Sequence, residues 1–333
     1  MTVALSVVMP VYNEAPHLAA TVGALADAVS RAGMTAELIV VDDGSSDGSG
    51  TVAAEAVPDW LPLRLLSRSH EGRFRARRAG VERARYADVL LLDARVRLHA
   101  DALRYVAPRL EHAPVWNGHV VVQSDGNPFG AFGDVLVRLA WSRYFSSPRA
   151  TSFGLDDFDH YPKGTGCFLA PKVLLLAGID AFAPRTSDLR FVSDDTQLIR
   201  WIAARQRIHL APEFGCDYQP RTNLSAFLAN AMYRGATFLD GHGRRDSRFF
   251  PLTVAFFPIS AACGVVAVRR SIAVPLLAVV TAFVAAAAAS RVRPSTFEAA
   301  SFAALAPVYA VGHGAGMWRA LGLLARDRIA APA

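Results

Sequence analysis

Two kinds of apolar pattern alternate over the first hundred residues. Short apolar runs at Leu5–Met9, Glu37–Val41, Leu63–Leu66 and Val89–Leu92 are too short for helices, and their composition reads as strands buried on both faces. Between them, apolar residues return every three or four positions. Leu18–Arg31 predicts a helix stopped by Gly33, Ser49–Val57 a second and Arg75–Arg85 a third. Strands alternating with helices predict an α/β fold with a mostly parallel sheet covered on both faces. Ligands of such sheets bind beyond the carboxyl ends of the strands. The turn Asp42–Ser46 and Asp93 fall there. The apolar N-terminus, with no basic region or cleavage-like site, reads as the first buried strand and not as a signal peptide.

The last third is patterned differently. Phe249–Val268 and Ile272–Ser290 carry no charge; Arg269 and Arg270 separate them, and Arg291 and Arg293 follow. Ala299–Trp318 is a third uncharged stretch, interrupted by His313 and by glycines at 312, 314 and 316. A helix of about 20 apolar residues crosses a bilayer, so the first two stretches are long enough and the third is borderline. The alternative is a buried helical hairpin in a soluble protein. With a cytosolic N-terminal domain, two full crossings would put Arg269 and Arg270 outside, against the positive-inside tendency. A hairpin held in one leaflet avoids that conflict. The expected organisation is an α/β domain over 1–245, a membrane-associated module of two or three helices over 246–325, and a short exposed tail over 326–333.

Composition agrees with a membrane module: 52% of residues are hydrophobic and only 19% charged. The net charge of +6 comes almost wholly from arginine, since Lys163 and Lys172 are the only lysines. The arginines are scattered, apart from a cluster at Arg73–Arg85, and no nucleic-acid motif accompanies them. That favours a phosphorylated ligand or anionic lipid, and no nucleic-acid partner. Cys167, Cys216 and Cys263 are far apart, and neither they nor the histidines show zinc-ligand spacing. Reduced thiols and a domain facing the cytosol are expected.

The specific motifs are Val7–Glu14 (VVMPVYNE), Val40–Asp47 (VVDDGSSD), Gly72–Ala84 (GRFRARRAGVERA), Leu90–Ala94 (LLLDA) and Ser193–Leu198 (SDDTQL). In this order they resemble the family 2 glycosyltransferases, inverting enzymes of the GT-A fold, over about residues 4–240. The resemblance implies a UDP- or GDP-linked sugar as donor, a lipid-linked or glycan acceptor, and a cell-membrane enzyme whose catalytic domain faces the cytoplasm. It also implies site residues. Pro10, Val11 and Tyr12 would wall the base and ribose, and Glu14 would accept from ribose hydroxyls. Asp43, with Val41 and Asp42 beside it, would accept from a base N–H. Arg73 and Arg77 would reach the donor phosphates. The alternatives are a plain capping turn at Asp42–Ser46 and a solvated helix face for the arginines.

On the acceptor side, an inverting transfer needs a carboxylate to take the proton of the attacking hydroxyl. The resemblance gives that role to Asp195, with Asp194 as its alternative or supporting neighbour; helix capping is the structural alternative. Gly164–Cys167 resembles the loop where the acceptor enters. Gln219–Thr222 and Tyr233–Gly235 resemble the segment closing over the phosphates, with Arg221 and Arg234 as contacts or as interfacial residues. The GHG around His313 suits close helix packing.

One departure stands out. Where the family has Asp-x-Asp holding Mg²⁺ or Mn²⁺, this chain reads Asp93-Ala94-Arg95. Hard divalent cations want oxygen ligands, which an arginine does not supply. Either Arg95 itself neutralises the pyrophosphate, or Asp93 holds the metal with help from substrate, or the domain is an inactive binding or scaffolding protein. A nucleotidyltransferase is disfavoured, because no Gly-rich phosphate loop follows the first strand.

Overall fold

The computed structural model describes residues 3–184, 192–245 and 247–330, with the side chains of Asp194 and of 328–330 outside the description. The chain forms two compact units. One comprises Met1–Val121, Ser147–Ala183 and Asp194–Gln219; the other comprises Val122–Ser146, Pro184–Ser193 and Pro220–Ala333.

The first unit begins β1 (Ala4–Val11), α1 (Ala15–Ala32), β2 (Thr35–Asp42), α2 (Ser49–Ala56), β3 (Leu63–Ser67), α3 (Arg73–Arg83), β4 (Asp88–Leu92). β1, β2 and β4 were legible as apolar runs because helices cover both faces of the sheet there, whereas β3 lies at the sheet edge with Leu65 40% exposed. Leu5, Val7 and Met9 of β1 face one core, while Val8 faces the other. Gly33 ends α1 in the left-handed region (φ 60°) and donates to the Ser30 carbonyl, as a glycine cap does. Gly80 lets α3 lie against β1, since a Cβ there would stand 2.3 Å from Val8 Cγ1.

Next come β5 (Val96–Leu98), α4 (Ala102–Val106) and β6 (Trp116–Val122). The segment bearing α5 (Pro128–Ala140) and α6 (Ser142–Phe145) belongs to the second unit. The first unit resumes with β7 (Thr151–Phe153), β8 (Cys167–Pro171), α7 (Lys172–Asp180), α8 (Asp194–Ala203) and β9 (Ile208–Tyr218). The strand order is β3-β2-β1-β4-β8-β6-β9-β5, with β7 also on β9. β3, β2, β1 and β4 are parallel, as expected. β8 then joins β4 antiparallel, and β5, β6 and β7 also pair antiparallel with their neighbours β9, β8 and β9. The sheet is therefore mixed: the expected parallel order holds for the half that the alternating pattern covered, and the rest is antiparallel.

The second unit is helical: α9 (Leu224–His242), α10 (Phe250–Arg269), α11 (Ala273–Ala289) and α12 (Thr296–Ala330) join α5 and α6. α9 and α12 pack at backbone contact. A Cβ on Gly235 would meet the His313 carbonyl, and one on Gly316 the Met232 carbonyl, so the glycines around His313 serve close packing. α12 runs on through 326–330, where the sequence suggested a tail. α10 and α11 with the turn after it (Phe250–Arg269 and Ala273–Val292) are each long and apolar enough to cross a membrane. Their large side chains face outward: Val268 is 89% exposed and Phe283 76%. A soluble protein's core hairpin would bury them; their exposure suits helices that associate with a membrane.

Candidate functional site

The loops leaving β1 and β2 are stitched together. The Asn13 amide donates to Ser45 Oγ at 3.0 Å, the Glu14 amide to Ser49 Oγ at 2.9 Å and the Ala15 amide to Asp47 Oδ2 at 3.0 Å. In return the Ser46 amide donates to Asn13 Oδ1 at 2.8 Å. Asn13 takes a positive φ of 53° to do this, a conformation asparagine tolerates better than most. Asp42 closes its own turn by accepting from the Ser45 amide at 2.8 Å. Pro10 and Val11 are buried at the strand end, and Tyr12 projects from it, 45% exposed. The Tyr12 ring stacks on His70, centroids 3.9 Å apart. Together they offer an aromatic platform beside Asp43.

Asp43 is buried and accepts from the amides of Glu71 (3.0 Å) and Gly72 (2.9 Å), with His70 Nδ1 3.1 Å from Oδ2. These bonds set where α3 starts: at Arg73, two residues before the sequence pattern suggested. α3 then carries Arg73 and Arg77 toward Asp93 at the end of β4. Arg77 Nη2 lies 3.0 Å from Asp93 Oδ1, and Arg73 Nη1 3.8 Å from Oδ2. Burial pushes the Asp93 carboxyl up, but the positive charges of Arg77 and Arg73 and the Arg77 hydrogen bond outweigh it and hold the carboxyl below its ordinary value. Ala94 is fixed by Thr21, whose hydroxyl donates to its carbonyl at 2.8 Å. Arg95 turns to Glu14: its Nε lies 2.7 Å from Glu14 Oε2, and its Nη1 reaches the Gln219 carbonyl at 3.4 Å.

The loop before β8 stands against the same strand end. The Asp93 amide donates to the Gly166 carbonyl at 2.9 Å, and a Cβ on Gly166 would lie 3.3 Å from Asp93 Oδ2. Asp195 is half-buried in the first turn of α8, where its Oδ1 accepts from the Thr196 amide at 2.7 Å. Asp194 heads that helix, and its side chain lies outside the described residues. Arg221 and Arg234 belong to the helical unit. The Arg221 carbonyl accepts from Asn127 Nδ2 at 2.9 Å, and Arg234 hydrogen-bonds the Tyr309 side chain.

A family described as glycosyl transferase family 2 matches residues 6–164. That match spans just under half of the chain. Among curated proteins, the chain is 35% identical over 92 residues to an undecaprenyl-phosphate 4-deoxy-4-formamido-L-arabinose transferase of Shewanella sediminis, covering 27% of this chain and 28% of the relative. The transferase of the same name from Pectobacterium carotovorum is 39% identical over 93 residues, with the same coverage. The chain thus spans just over a quarter of the length of these curated relatives. Among solved structures, S. aureus TarS 1–349 matches with a TM-score of 0.52 at 15% identity, covering 99% of this chain and 92% of that one. The mannosyltransferase PcManGT from Pyrobaculum calidifontis, in complex with GDP-Man and Mn²⁺, matches with a TM-score of 0.54 at 17% identity, covering 94% and 86%. At these identities the likeness is one of fold, the GT-A fold that the motifs implied.

Within the region that matches family 2, the donor set at Asp93 does not fit a divalent metal. Asp93 is the one carboxylate of the Asp93-Ala94-Arg95 motif, both its oxygens face guanidinium groups, and the nearest sequence counterpart of a second ligand is a cation. No group of three or more metal-binding side chains forms among the described residues. The sequence reading missed His70 and the Glu14–Arg95 pair. His70 sits in a loop with no periodic pattern, and only its tertiary contacts with Tyr12 and Asp43 mark it.

Proposed function

We propose that the protein is an inverting glycosyltransferase that moves a sugar from a UDP- or GDP-linked donor to a lipid-linked acceptor at the cytoplasmic face of a membrane. The observation that carries this is the joined edge of β1, β2 and β4. There, the Tyr12–His70 stack and the Asp93–Arg77–Arg73 cluster stand at the carboxyl ends of adjacent parallel strands. The stack offers a face to a nucleobase, and the guanidinium groups offer charge to a diphosphate. The family match supports the chemistry, and the two outward-facing apolar helices support a bilayer-confined acceptor. The curated relatives are named for an undecaprenyl-phosphate acceptor, which makes a polyprenyl phosphate the first acceptor to try.

In this reading the acceptor oxygen attacks the anomeric carbon from the side away from the nucleotide. Asp195 takes the proton of an attacking hydroxyl, and the nucleoside diphosphate leaves with the bonding electrons. Gly166 keeps the acceptor loop open beside Asp93, where a larger residue would crowd the carboxylate.

The test is sugar transfer by the membrane-embedded full chain, across a panel of UDP- and GDP-sugars, to undecaprenyl phosphate or to soluble glycans. Asp195→Asn should lower transfer to a hydroxyl acceptor by about 10²–10⁴-fold while leaving nucleotide binding intact. Nucleotide binding without transfer or hydrolysis of any donor would favour the inactive binding or scaffolding protein.

A further inference from the structure

Among the described side chains, three guanidinium groups and two carboxylates stand together at the end of β4. Arg77 is almost fully buried, and its strong partner is Asp93 Oδ1; Arg73 stands farther off, on Oδ2. Arg95 and Glu14 pair with each other at 2.7 Å, each side chain 14% exposed. Among these five groups, three positive charges less two negative ones leave a surplus of one, held in place before any ligand arrives. A guanidinium fork binds phosphate oxygens in pairs and keeps its charge at every working pH.

A divalent metal would find poor terms in the same place. It needs several oxygen ligands, yet Asp93 has a cation on each oxygen, and Arg95 occupies the position of the second carboxylate. A metal on Asp93 would sit against the guanidinium of Arg77, which is 3.0 Å from Oδ1 and only 4% exposed, and like charges repel strongly in so enclosed a place. The loop is also fixed in this arrangement by the bond from Thr21 to the Ala94 carbonyl and by that from the Asp93 amide to Gly166.

We infer that this chain binds the diphosphate of its donor without a divalent metal, the positive charge being supplied by Arg95 together with Arg73 and Arg77. This rests on the reading of the donor as a nucleoside-diphosphate sugar. In the transfer, the bond between the anomeric carbon and the β-phosphate oxygen breaks, and its electron pair stays on that oxygen. The leaving diphosphate gains one negative charge, which the guanidinium groups receive. The new bond to the acceptor forms at the same carbon; a hydroxyl acceptor gives its proton to Asp195, whereas a phosphate oxygen attacks already ionised.

The experiment is calorimetric binding of UDP and of GDP to the full chain in nanodiscs, in EDTA and again in excess Mg²⁺ or Mn²⁺. The expected result is affinity for one of the two that changes less than about twofold between conditions, a small fraction of the 1.4 kcal/mol that a factor of ten represents. Arg95→Ala should weaken binding by about tenfold or more in both. Arg95→Asp, which restores the two-carboxylate motif, should bind poorly in EDTA and regain affinity with Mn²⁺. Wild-type binding that appears only with metal overturns the inference while leaving the donor reading standing. Absence of binding to either nucleotide in both conditions overturns the donor reading itself, and this inference with it. The wild-type comparison needs no variant, so a misfolded substitution does not decide the matter.

Discussion

At the carboxyl ends of β1, β2 and β4, the charged side chains have found partners within the chain; along α10 and α11, large apolar side chains stand exposed. Asp43 is engaged by two amides and His70, Asp93 by two arginines, and Glu14 by Arg95. Such a polar edge is organised before a ligand arrives, and a ligand gains by meeting groups already oriented. Val268, Ile272, Leu276 and Phe283 have no comparable cover and are each more than 60% exposed. Contiguous exposed apolar surface on that scale points to another phase or another molecule. On the proposed function, the first region is completed by a nucleotide sugar and the second by lipid.

The largest effect should come from putting charge where lipid is expected. Val279 and Phe283 lie one turn apart in the middle of α11, both outward. Arginine at both positions should disfavour insertion by about 5–7 kcal/mol, taking about 2.5–3.5 for each charge at a helix centre. Carbonate extraction of membranes checks this: the wild-type chain should stay in the pellet and the Val279→Arg/Phe283→Arg variant should move to the supernatant. Retention of the double variant in the pellet would mean that α11 does not contact the hydrocarbon, and the contrast between the two regions would lose one side.

On the polar side, Asp43→Ala should matter less but still measurably. It leaves the Glu71 and Gly72 amides without their acceptor, at a cost of about 1–3 kcal/mol for a buried donor. It also frees His70 from the position in which it stacks on Tyr12. The detergent-solubilised variant should unfold at a temperature several degrees lower, with about 2–4 °C for each kcal/mol, and Asp43→Asn should fall between it and the wild type. Unchanged stability would show that the edge does not depend on its buried carboxylate for its organisation.

How much of this could be read from the chain alone follows from the distance over which each feature is determined. β1, β2 and β4 were legible because strands covered on both faces stay apolar along their length, while β3, at the exposed edge, was legible from its leucines alone. α1 was legible because Gly33 marks its end locally. The start of α3 was misread by two residues because it depends on Asp43, a contact reaching back to the end of β2. The antiparallel strands β5 to β9 escaped because no alternation of strand and helix announces them; their order comes from pairings such as β4 with β8, made across long stretches of chain. In the site, the identities of Asp43, Asp93, Arg77 and Arg95 were legible from the motifs, while their partners were not. Glu14 and Arg95 were each read as a ligand contact, and nothing in the spacing says that they meet.

The smallest effect lies in acid. Asp93 is held below its ordinary value of 3.8 because Arg77 and Arg73 favour its charged form over the opposing push of burial. A carboxyl whose folded value lies below its unfolded one binds fewer protons in the folded state over that interval, so stability rises with pH there. Its contribution is complete above the unfolded value, near pH 4, and is lost as pH falls through the lower folded value. Asp93→Asn should therefore be less stable than the wild type by a constant margin from about pH 5 to pH 8, and the margin should shrink below about pH 4. Denaturant unfolding of the solubilised protein at a series of pH values reads this directly. A margin that stayed constant down to pH 2.5 would mean that the aspartate acts there through its shape and hydrogen bonding and not through its charge, and the polar edge would then hold its arginines by packing alone.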